Sequence, residues 1–385
     1  MASIAAEIHG VCEPRFAAVR EAFEANFRAG LEVGASVAVT IDGAPVVDLW
    51  GGHADAARSR PWERDSIVRV YSSTKGWLAT CAHMLVDRGL IELDAPVARY
   101  WPEFAQARKE RITVAQLLDH SSGVAAIGTP ITEQAVLDWE TMVHALEAQP
   151  PWWEPGTDHG YHAITFGWLV GEVIRRVTSM TPGAFLRTEV AGPLGLELHI
   201  GFGPELDGRV ADIVPPRDDP AGVVGGAMAG TDRTSLDWNV WMNPPRSYQG
   251  ANSRASRLAE IPASNGHANA RAVARLYGAL ARGGELDGVR LLSAEALQRA
   301  TEERRATPDR VTKRPARRGL GYQLWNDANG PDPRSRRAFG HPGAGGSNGF
   351  ADPEHRLGFG YTMNQIGGAV DNRSAALIEA LYGCL

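Results

Sequence analysis

A serine and a lysine stand three residues apart, as Ser72 and Lys75, in a Ser-x-x-Lys pattern. Residues with this spacing lie on the same face of a helix, so the hydroxyl and the amine can share a hydrogen bond. An amine that accepts the hydroxyl proton would make Ser72 a nucleophile. The alternative is an N-cap serine followed one turn later by an exposed lysine, and the pattern alone does not decide between the two.

The surroundings of Ser72 suit a nucleophile. An extended segment is predicted over 67–71, and a helix is predicted to begin near Ser73. The first N–H groups of a helix and the positive end of its dipole favour an alkoxide and, later, an oxyanion.

A second segment presents a tyrosine. Tyr161 follows a Pro-Gly turn and precedes a helix predicted over 164–177. A tyrosine has a reference pKa of about 10, and it can carry a proton if a neighbouring ammonium, here a candidate Lys75, holds its phenolate. The alternative is a tyrosine at the edge of the core. His159 and His162 flank it without a carboxylate at a ligand spacing, so we predict no metal and no cofactor.

A third segment, 339–350, is rich in glycine and contains His341. Glycines let a strand edge approach a substrate closely, with backbone N–H groups as donors. Ser347 lies here in a Gly-x-Ser-x-Gly pattern, which is typical of a nucleophile between a strand and a helix. Strands are predicted on both sides instead, and only His355 follows, so we do not assign Ser347 as the nucleophile.

The predicted elements place strands and helices at both ends and helices in the middle. Apolar spacing predicts a first helix near 13–29, and Asp-Gly at 42–43 predicts a hairpin between 36–41 and 46–50. Strands at 346–351 and 357–363 precede a last helix at 374–382. The middle helices are predicted at 77–88, 114–119, 133–147, 164–177 and 270–282.

This order predicts an α+β fold in which an antiparallel sheet is flanked by the terminal helices. Residues 1–72 and 268–385 would form the sheet-bearing domain, and residues 73–267 an inserted helical domain, with the site at their junction. A segment rich in Pro, Asp and Gly, 204–230, is predicted to be a long surface loop.

Composition limits the class of protein. The chain has 385 residues, 44% of them hydrophobic, and a net charge of -6, which fits a globular protein without affinity for nucleic acid or anionic lipid. We interpret the positive charges between Arg304 and Arg318 as a solvated loop. The three cysteines are too few and too far apart for a disulfide framework or a zinc site. With no apolar leader or membrane span, a cytoplasmic protein is expected.

Taken in order, Ser72-x-x-Lys75, the loop that ends in Tyr161, and His341-Pro-Gly resemble the serine β-lactamase and penicillin-binding-protein superfamily. Segments 112–124 and 358–364 extend the resemblance to roughly residues 15 to 383. The chain is most similar to the class C β-lactamase-like branch called family VIII carboxylesterases, which is related to amidases, D-aminopeptidases and transacylases.

Two departures within this resemblance favour an esterase over a lactamase. Ala163 stands where class C lactamases have the asparagine of Tyr-x-Asn, and His341-Pro-Gly replaces their Lys-Thr-Gly. Both changes remove groups that would hold a β-lactam. The resemblance therefore implies a serine hydrolase of short-chain or aryl esters, a small-molecule substrate, and at most weak β-lactamase activity. An acyltransferase or amidase is the alternative, and a non-enzymatic sensor is a third hypothesis.

The resemblance also implies a site. Ser72 would attack the ester, Lys75 and Tyr161 would move protons, and the N–H groups of Ser72 and Ala344 would form the oxyanion hole. The charge of His341 at neutral pH is left open. Five tryptophans stand in segments predicted to border the cleft, with core packing as the rival interpretation: Trp152, Trp153, Trp238, Trp241 and Trp325. The predicted substrate-binding residues are His341, Gly343, Trp153, Trp238 and Trp325.

Overall fold

The computed structural model describes residues 6–216, 231–325, 331–368 and 371–385. The strands are β1 Ile8–Cys12, β2 Gly34–Ile41, β3 Ala44–Gly52, β4 Ile67–Arg69, β5 Leu198–His199, β6 Val210–Ala211, β7 His267–Ala268, β8 Glu285–Leu286, β9 Val289–Arg290, β10 Arg317–Arg318, β11 Gln323–Leu324, β12 Phe339–Pro342, β13 Asn348–Asp352 and β14 Leu357–Met363. The helices are α1 Ala17–Arg28, α2 Thr74–Asp87, α3 Val114–Leu118, α4 Trp139–Ala148, α5 Thr165–Thr178, α6 Pro182–Phe185, α7 Gly192–Leu194, α8 Leu236–Met242, α9 Tyr248–Ala251, α10 Arg254–Leu258, α11 Ala270–Ala281, α12 Ala294–Thr301 and α13 Arg373–Tyr382.

The main sheet has eight strands in the order β1-β3-β2-β14-β13-β12-β11-β10, and every neighbouring pair is antiparallel. The hairpin predicted at Asp42 and Gly43 is confirmed. Both residues have positive φ, of 52° and 83°, as a tight two-residue turn between twisted strands requires. The N-terminal and C-terminal strands therefore join at the centre of one sheet, where β2 pairs with β14.

Alternate residues of β14 face opposite sides of the sheet. Leu357, Phe359 and Tyr361 pack in a core with apolar side chains of α1 and α13. Gly358 and Gly360 face α11 on the other side, where an added Cβ would lie 2.2 Å from backbone atoms of that helix. Because neither glycine carries a side chain, α11 lies directly on the strand. The predicted α+β fold with terminal helices is confirmed.

The helical part of the chain has its own core. Apolar side chains of α2, α3, α4 and α5 form one cluster, which reaches the sheet through α11. A smaller sheet, in the order β5-β7-β4-β6, lies beside it and was not predicted. The division at residues 73 and 267 stays a prediction, although the first helix after it, α2, begins at Thr74 and ends before Gly89, which has a φ of 70°.

The first part of the predicted loop 204–230 is ordered differently, since Pro204–Arg209 is a 3₁₀ helix that leads into β6. Residues 217–230 lie outside the described residues. No helix of the described chain is long and apolar enough to cross a membrane.

The close packing of β14 on α11 predicts the effect of one added methyl group. We expect Gly358→Ala to lower the free energy of unfolding by about 3 kcal/mol, because the new Cβ meets rigid backbone of α11 at 2.2 Å. Gly208→Ala is the matched control, since nothing lies within 4 Å of its Cβ position. Urea denaturation measures both, and equal stability of the two variants would contradict this packing.

Candidate active site

Ser72 lies in a short 3₁₀ turn, Tyr71–Ser73, between β4 and the start of α2. Tyr71 has a φ of 46°, a left-handed conformation that costs a non-glycine residue about 1 kcal/mol or more. The turn is held by neighbouring bonds, since Thr74 Oγ1 donates to Tyr71 O at 2.5 Å and Val70 N donates to Gly266 O at 2.8 Å. The strained turn presents Ser72 at the start of the helix, as its sequence position indicated.

Lys75 is fully buried, so the alternative of an exposed lysine is wrong. Its Nζ donates to Ala163 O at 2.8 Å and to Ala263 O at 2.9 Å, and it lies 3.2 Å from Ser72 Oγ. Burial, followed by the charges of Arg246 and Arg318, holds the pKa of Lys75 well below 10.5. A neutral amine has two N–H donors for the two carbonyls and one lone pair, which is left for the Ser72 hydroxyl proton.

Tyr161 reaches the same oxygen from the other side. Its hydroxyl donates to Ser72 Oγ at 2.8 Å, and burial raises the pKa of Tyr161 to about 12. Lys75 Nζ lies 4.8 Å from the centre of the Tyr161 ring. The pKa directions of the two groups favour a neutral amine and a neutral phenol over an ammonium that holds a phenolate.

A buried ion pair supports Tyr161, and the sequence did not reveal it. Tyr161 N donates to Asp309 Oδ1 at 3.1 Å, and Asp309 pairs with Arg318 at 2.6 Å. The Arg318 guanidinium lies 5.3 Å from the centre of the Tyr161 ring, and its side chain is only 6% exposed. The interpretation of 304–318 as a solvated loop is therefore wrong at Arg318. No local pattern distinguishes this arginine from its exposed neighbours.

His341 stacks on Tyr161, with ring centres 5.9 Å apart and planes at 27°. Its Nδ1 donates to Pro342 O at 2.7 Å, and its Nε2 is buried without a hydrogen-bond partner among the described residues. Burial holds the pKa of His341 well below 6.5, so the ring is neutral at neutral pH. The charge that the sequence left open is therefore absent.

Gly343 and Ala344 begin the turn after β12. A Cβ at Gly343 would lie 2.2 Å from Val70 O, so only glycine lets this turn approach the segment that carries Ser72. Ser347 Oγ donates to Val70 O at 2.8 Å and is 1% exposed, which makes it a brace between the same segments. Ser72 and Ala344 line one cavity, as an oxyanion hole made of their N–H groups requires.

That cavity has a volume of about 500 Å³. Ser72, Tyr161 and Ala344 line it, and so does Trp241. Its apolar lining includes Val136, Leu137, Ile164, Ile261 and Ile366. A space of this size and character suits a small ester with an apolar part.

The five residues predicted to bind substrate do not line this cavity, although His341 stacks on Tyr161 and Gly343 precedes Ala344. His341 and Gly343 are not in the lining of this cavity, and neither are Trp153, Trp238 and Trp325. Trp153 donates to Asp158 O at 3.1 Å, and Trp325 packs on Phe350 in the core of the sheet. Core packing, the rival interpretation, describes these two indoles better, and contact with substrate stays a prediction for all five residues.

No group of three or more His, Cys, Asp and Glu side chains that could hold a metal occurs in the described part of the chain. The reactive groups are one hydroxyl between an amine and a phenol, those of Ser72, Lys75 and Tyr161. Such a set can transfer an acyl group through a serine ester.

The lowered pKa of Lys75 sets the pH dependence of acylation. The neutral amine is the active form of the base, so kcat/KM should rise with pH as Lys75 loses its proton. Because the pKa of Lys75 is lowered, this rise should be complete well below pH 10.5. Lys75→Ala should lose about 10² to 10⁴-fold in kcat/KM. Lys313→Ala, at an exposed lysine paired with Asp237, is the control. A wild-type acid limb centred near pH 10 would contradict the neutral amine.

The Asp309 and Arg318 pair predicts a stability effect. Arg318→Gln should lower the free energy of unfolding by about 3 to 5 kcal/mol, because it leaves the Asp309 carboxylate buried and unpaired. Arg310→Gln is matched, since Arg310 also lies over an aromatic ring, that of Trp153, but its pair with Asp158 is exposed and worth less than about 1 kcal/mol. Urea denaturation distinguishes the two, and a small loss at Arg318 would refute the buried pair.

Comparison with known proteins agrees with this geometry. The family model described as Beta-lactamase matches residues 23–383. The esterase/beta-lactamase LipL of Mycobacterium tuberculosis is 40% identical over 364 residues, which cover 93% of this chain and 83% of that protein. Esterase EstB of Burkholderia gladioli is 29% identical over 191 residues, 45% of this chain and 48% of that protein.

Solved structures agree over nearly the whole chain. A family VIII carboxylesterase has a TM-score of 0.90 at 44% identity and covers 98% of this chain and 100% of its own. A penicillin-binding protein homolog from Caulobacter crescentus has a TM-score of 0.87 at 41% identity, with the same coverage. The resemblance stated from the motifs is confirmed, and the chain belongs to the Beta-lactamase family.

Proposed function

We propose that this protein is a carboxylesterase that hydrolyses short-chain or aryl esters through an acyl-enzyme on Ser72. The observation that carries the proposal is the position of Ser72 Oγ, 3.2 Å from the Lys75 amine and 2.8 Å from the Tyr161 hydroxyl. Its relatives support the same activity, since they include a protein named esterase/beta-lactamase at 40% identity and one named esterase at 29% identity.

In acylation, Ser72 Oγ attacks the ester carbonyl and its proton passes to the Lys75 amine. The carbonyl oxygen becomes an oxyanion, which accepts hydrogen bonds from the N–H groups of Ser72 and Ala344. When the intermediate collapses, the bond to the alcohol oxygen breaks and the Tyr161 phenol protonates the leaving alkoxide. The Lys75 proton then replaces the one that Tyr161 gave up, which leaves both groups neutral.

Deacylation runs the same steps with water as the nucleophile. The proton of the water passes to the Lys75 and Tyr161 pair as its oxygen attacks the acyl carbon. The bond to Ser72 Oγ breaks, the acid leaves, and Ser72 regains a proton. Because the three groups share one hydrogen-bonded network, the proton carrier in each step is the pair rather than one residue.

The surroundings of Tyr161 favour an ester over a lactam. Ala163 offers only its backbone carbonyl, which is already occupied by Lys75 Nζ at 2.8 Å. His341 is neutral and lies outside the lining of the cavity. Neither residue supplies the amide donor or the cation that would hold a lactam amide and its carboxylate.

A cytoplasmic location stays a proposal. It is compatible with Cys12, Cys81 and Cys384, which are all free thiols.

Two serine variants test the nucleophile. Ser72→Ala should lower kcat/KM for p-nitrophenyl acetate by at least about 10³-fold, because no other hydroxyl receives the Lys75 and Tyr161 contacts in the described chain. Ser347→Ala, which removes the buried serine of the Gly-x-Ser-x-Gly pattern, should retain turnover within about tenfold. Mass spectrometry after a fluorophosphonate should find the label on Ser72.

The alternatives give different results in the same assay. A sensor would accumulate a persistent acyl-enzyme with stoichiometric product release. An acyltransferase would divide the acyl group between water and an added alcohol in favour of the alcohol. Full turnover of a folded Ser72→Ala protein would refute the proposal itself.

A further inference from the structure

Two arginines line the cavity that holds Ser72, and neither has an acidic partner among the described residues. Arg69, on β4, is 7% exposed. Its Nε donates to Ser264 O at 2.9 Å, its Nη1 to Ser256 Oγ at 2.9 Å, and its Nη2 to Ser264 Oγ at 3.3 Å. All of these acceptors are neutral, so the charge of Arg69 is solvated by the protein but not compensated.

Arg246 is the less satisfied of the two. Its Nη2 donates to Trp241 O at 2.8 Å and Val240 O at 3.3 Å, near the carboxyl end of α8. Its Nε is buried and has no hydrogen-bond partner in the described chain. Burial, followed by the charge of Arg69, lowers the pKa of Arg246 to about 10. A guanidinium with an unused donor therefore faces a second positive charge.

One carboxylate, that of Glu133, lines the same cavity but does not neutralise these charges. Glu133 is exposed and accepts from Ser247 N at 3.0 Å and Ser247 Oγ at 2.6 Å. Within the described residues, no carboxylate oxygen lies within 4.0 Å of the Arg69 or Arg246 guanidinium. The cavity is thus apolar over much of its wall and positive at one side.

We propose that Arg246, assisted by the charge of Arg69, forms a carboxylate subsite, so that the preferred substrates are esters that also carry a carboxylate, such as half-esters of short dicarboxylic acids. This substrate class rests on the proposed esterase function. Arg246 Nη1 donates to no described residue and is not among the buried atoms, and the edge of a planar guanidinium matches a carboxylate. An anion bound there gives the two guanidiniums the counter-charge that they lack.

The subsite shares one cavity with the reactive groups. Arg246 lines the same cavity of about 500 Å³ as Ser72, Tyr161 and Ala344. Trp241 lines it too, and its backbone carbonyl accepts a hydrogen bond from Arg246. A substrate held by its carboxylate at Arg246 has its ester group confined to the remaining, largely apolar part. This binding lowers KM and orients the carbonyl toward Ser72.

The test compares an anionic ester with a neutral one of nearly the same shape. The probes are mono(4-nitrophenyl) glutarate and its methyl diester, assayed with wild type, Arg246→Gln and Arg246→Lys. Wild type should prefer the half-ester, and Arg246→Gln should lose about 10 to 100-fold in kcat/KM for it, mainly through KM. Because Arg246 also lowers the pKa of Lys75, its loss can act on both esters through the base, so the subsite is measured by the ratio of kcat/KM for the half-ester to that for the diester. This ratio should fall at least about tenfold in Arg246→Gln, and Arg246→Lys should retain part of the preference.

Two further arms complete the design. 4-Carboxyphenyl butanoate carries the carboxylate on the alcohol side, so its response to Arg246→Gln shows which half of the ester the subsite holds. Arg187→Gln is the matched control, because it removes one positive charge at an exposed position outside the cavity lining. It should leave the ratio of half-ester to diester unchanged.

The outcomes distinguish a failure of the carboxylate subsite from a failure of the proposed esterase function. Equal losses on the half-ester and the diester in Arg246→Gln would mean that Arg246 only caps α8, and the inference would be overturned. If wild type hydrolyses neither ester, the proposed function fails, and the subsite is then judged by glutarate binding to Ser72→Ala, followed by tryptophan fluorescence. Binding that Arg246→Gln leaves unchanged would overturn the subsite in that case as well.

Discussion

The site depends on the burial of a single amine. Lys75 has no contact with water, and its Nζ is held by carbonyls from two distant segments, Ala163 and Ala263. Burial favours the neutral form of the amine, and the two carbonyls accept hydrogen bonds from its two N–H groups. The lone pair is then directed at Ser72. A Ser-x-x-Lys pattern on an exposed helix would have the same spacing, but the amine would be charged and could not act as a base.

The proposed oxyanion hole is positioned by a close contact between two backbone segments. Gly343 lets the turn that carries Ala344 reach Val70, and Ser347 fixes the contact by its bond to Val70 O. Arg373 adds a brace from α13, since its Nη2 donates to Gly345 O at 2.7 Å. The proposed oxyanion hole therefore joins β12 and its turn to the segment before α2. Its geometry is a property of the packed sheet and not of either loop alone.

The sequence was sufficient to predict the structural features that depend on a local pattern or on the order of the motifs. The hairpin at Asp42, six of the seven predicted helices to within four residues at each end, and the three segments that meet at Ser72 were predictable, because each has a pattern of its own. Helices α6 to α10 and α12 were not predicted. The partners of Tyr161 were not predicted either. Asp309 is 148 residues away, and Arg318 lies in an arginine-rich run in which only burial separates it from exposed neighbours. Trp241 lines the cavity while Trp325 lies in the core, and composition alone ranks them equally.

The same positive charges act on both the base and the ligand. Arg246 and Arg318 lower the pKa of Lys75, but burial is the larger cause. A carboxylate bound at Arg246 would cancel one of the two charges and raise the pKa of Lys75 slightly. It would also displace water from the cavity, and the drier surroundings would lower the pKa of Lys75. Since the larger cause is preserved, the pKa of Lys75 stays below its usual value with an anionic substrate in place. Recognition of a negative charge and a neutral base are therefore compatible within one cavity.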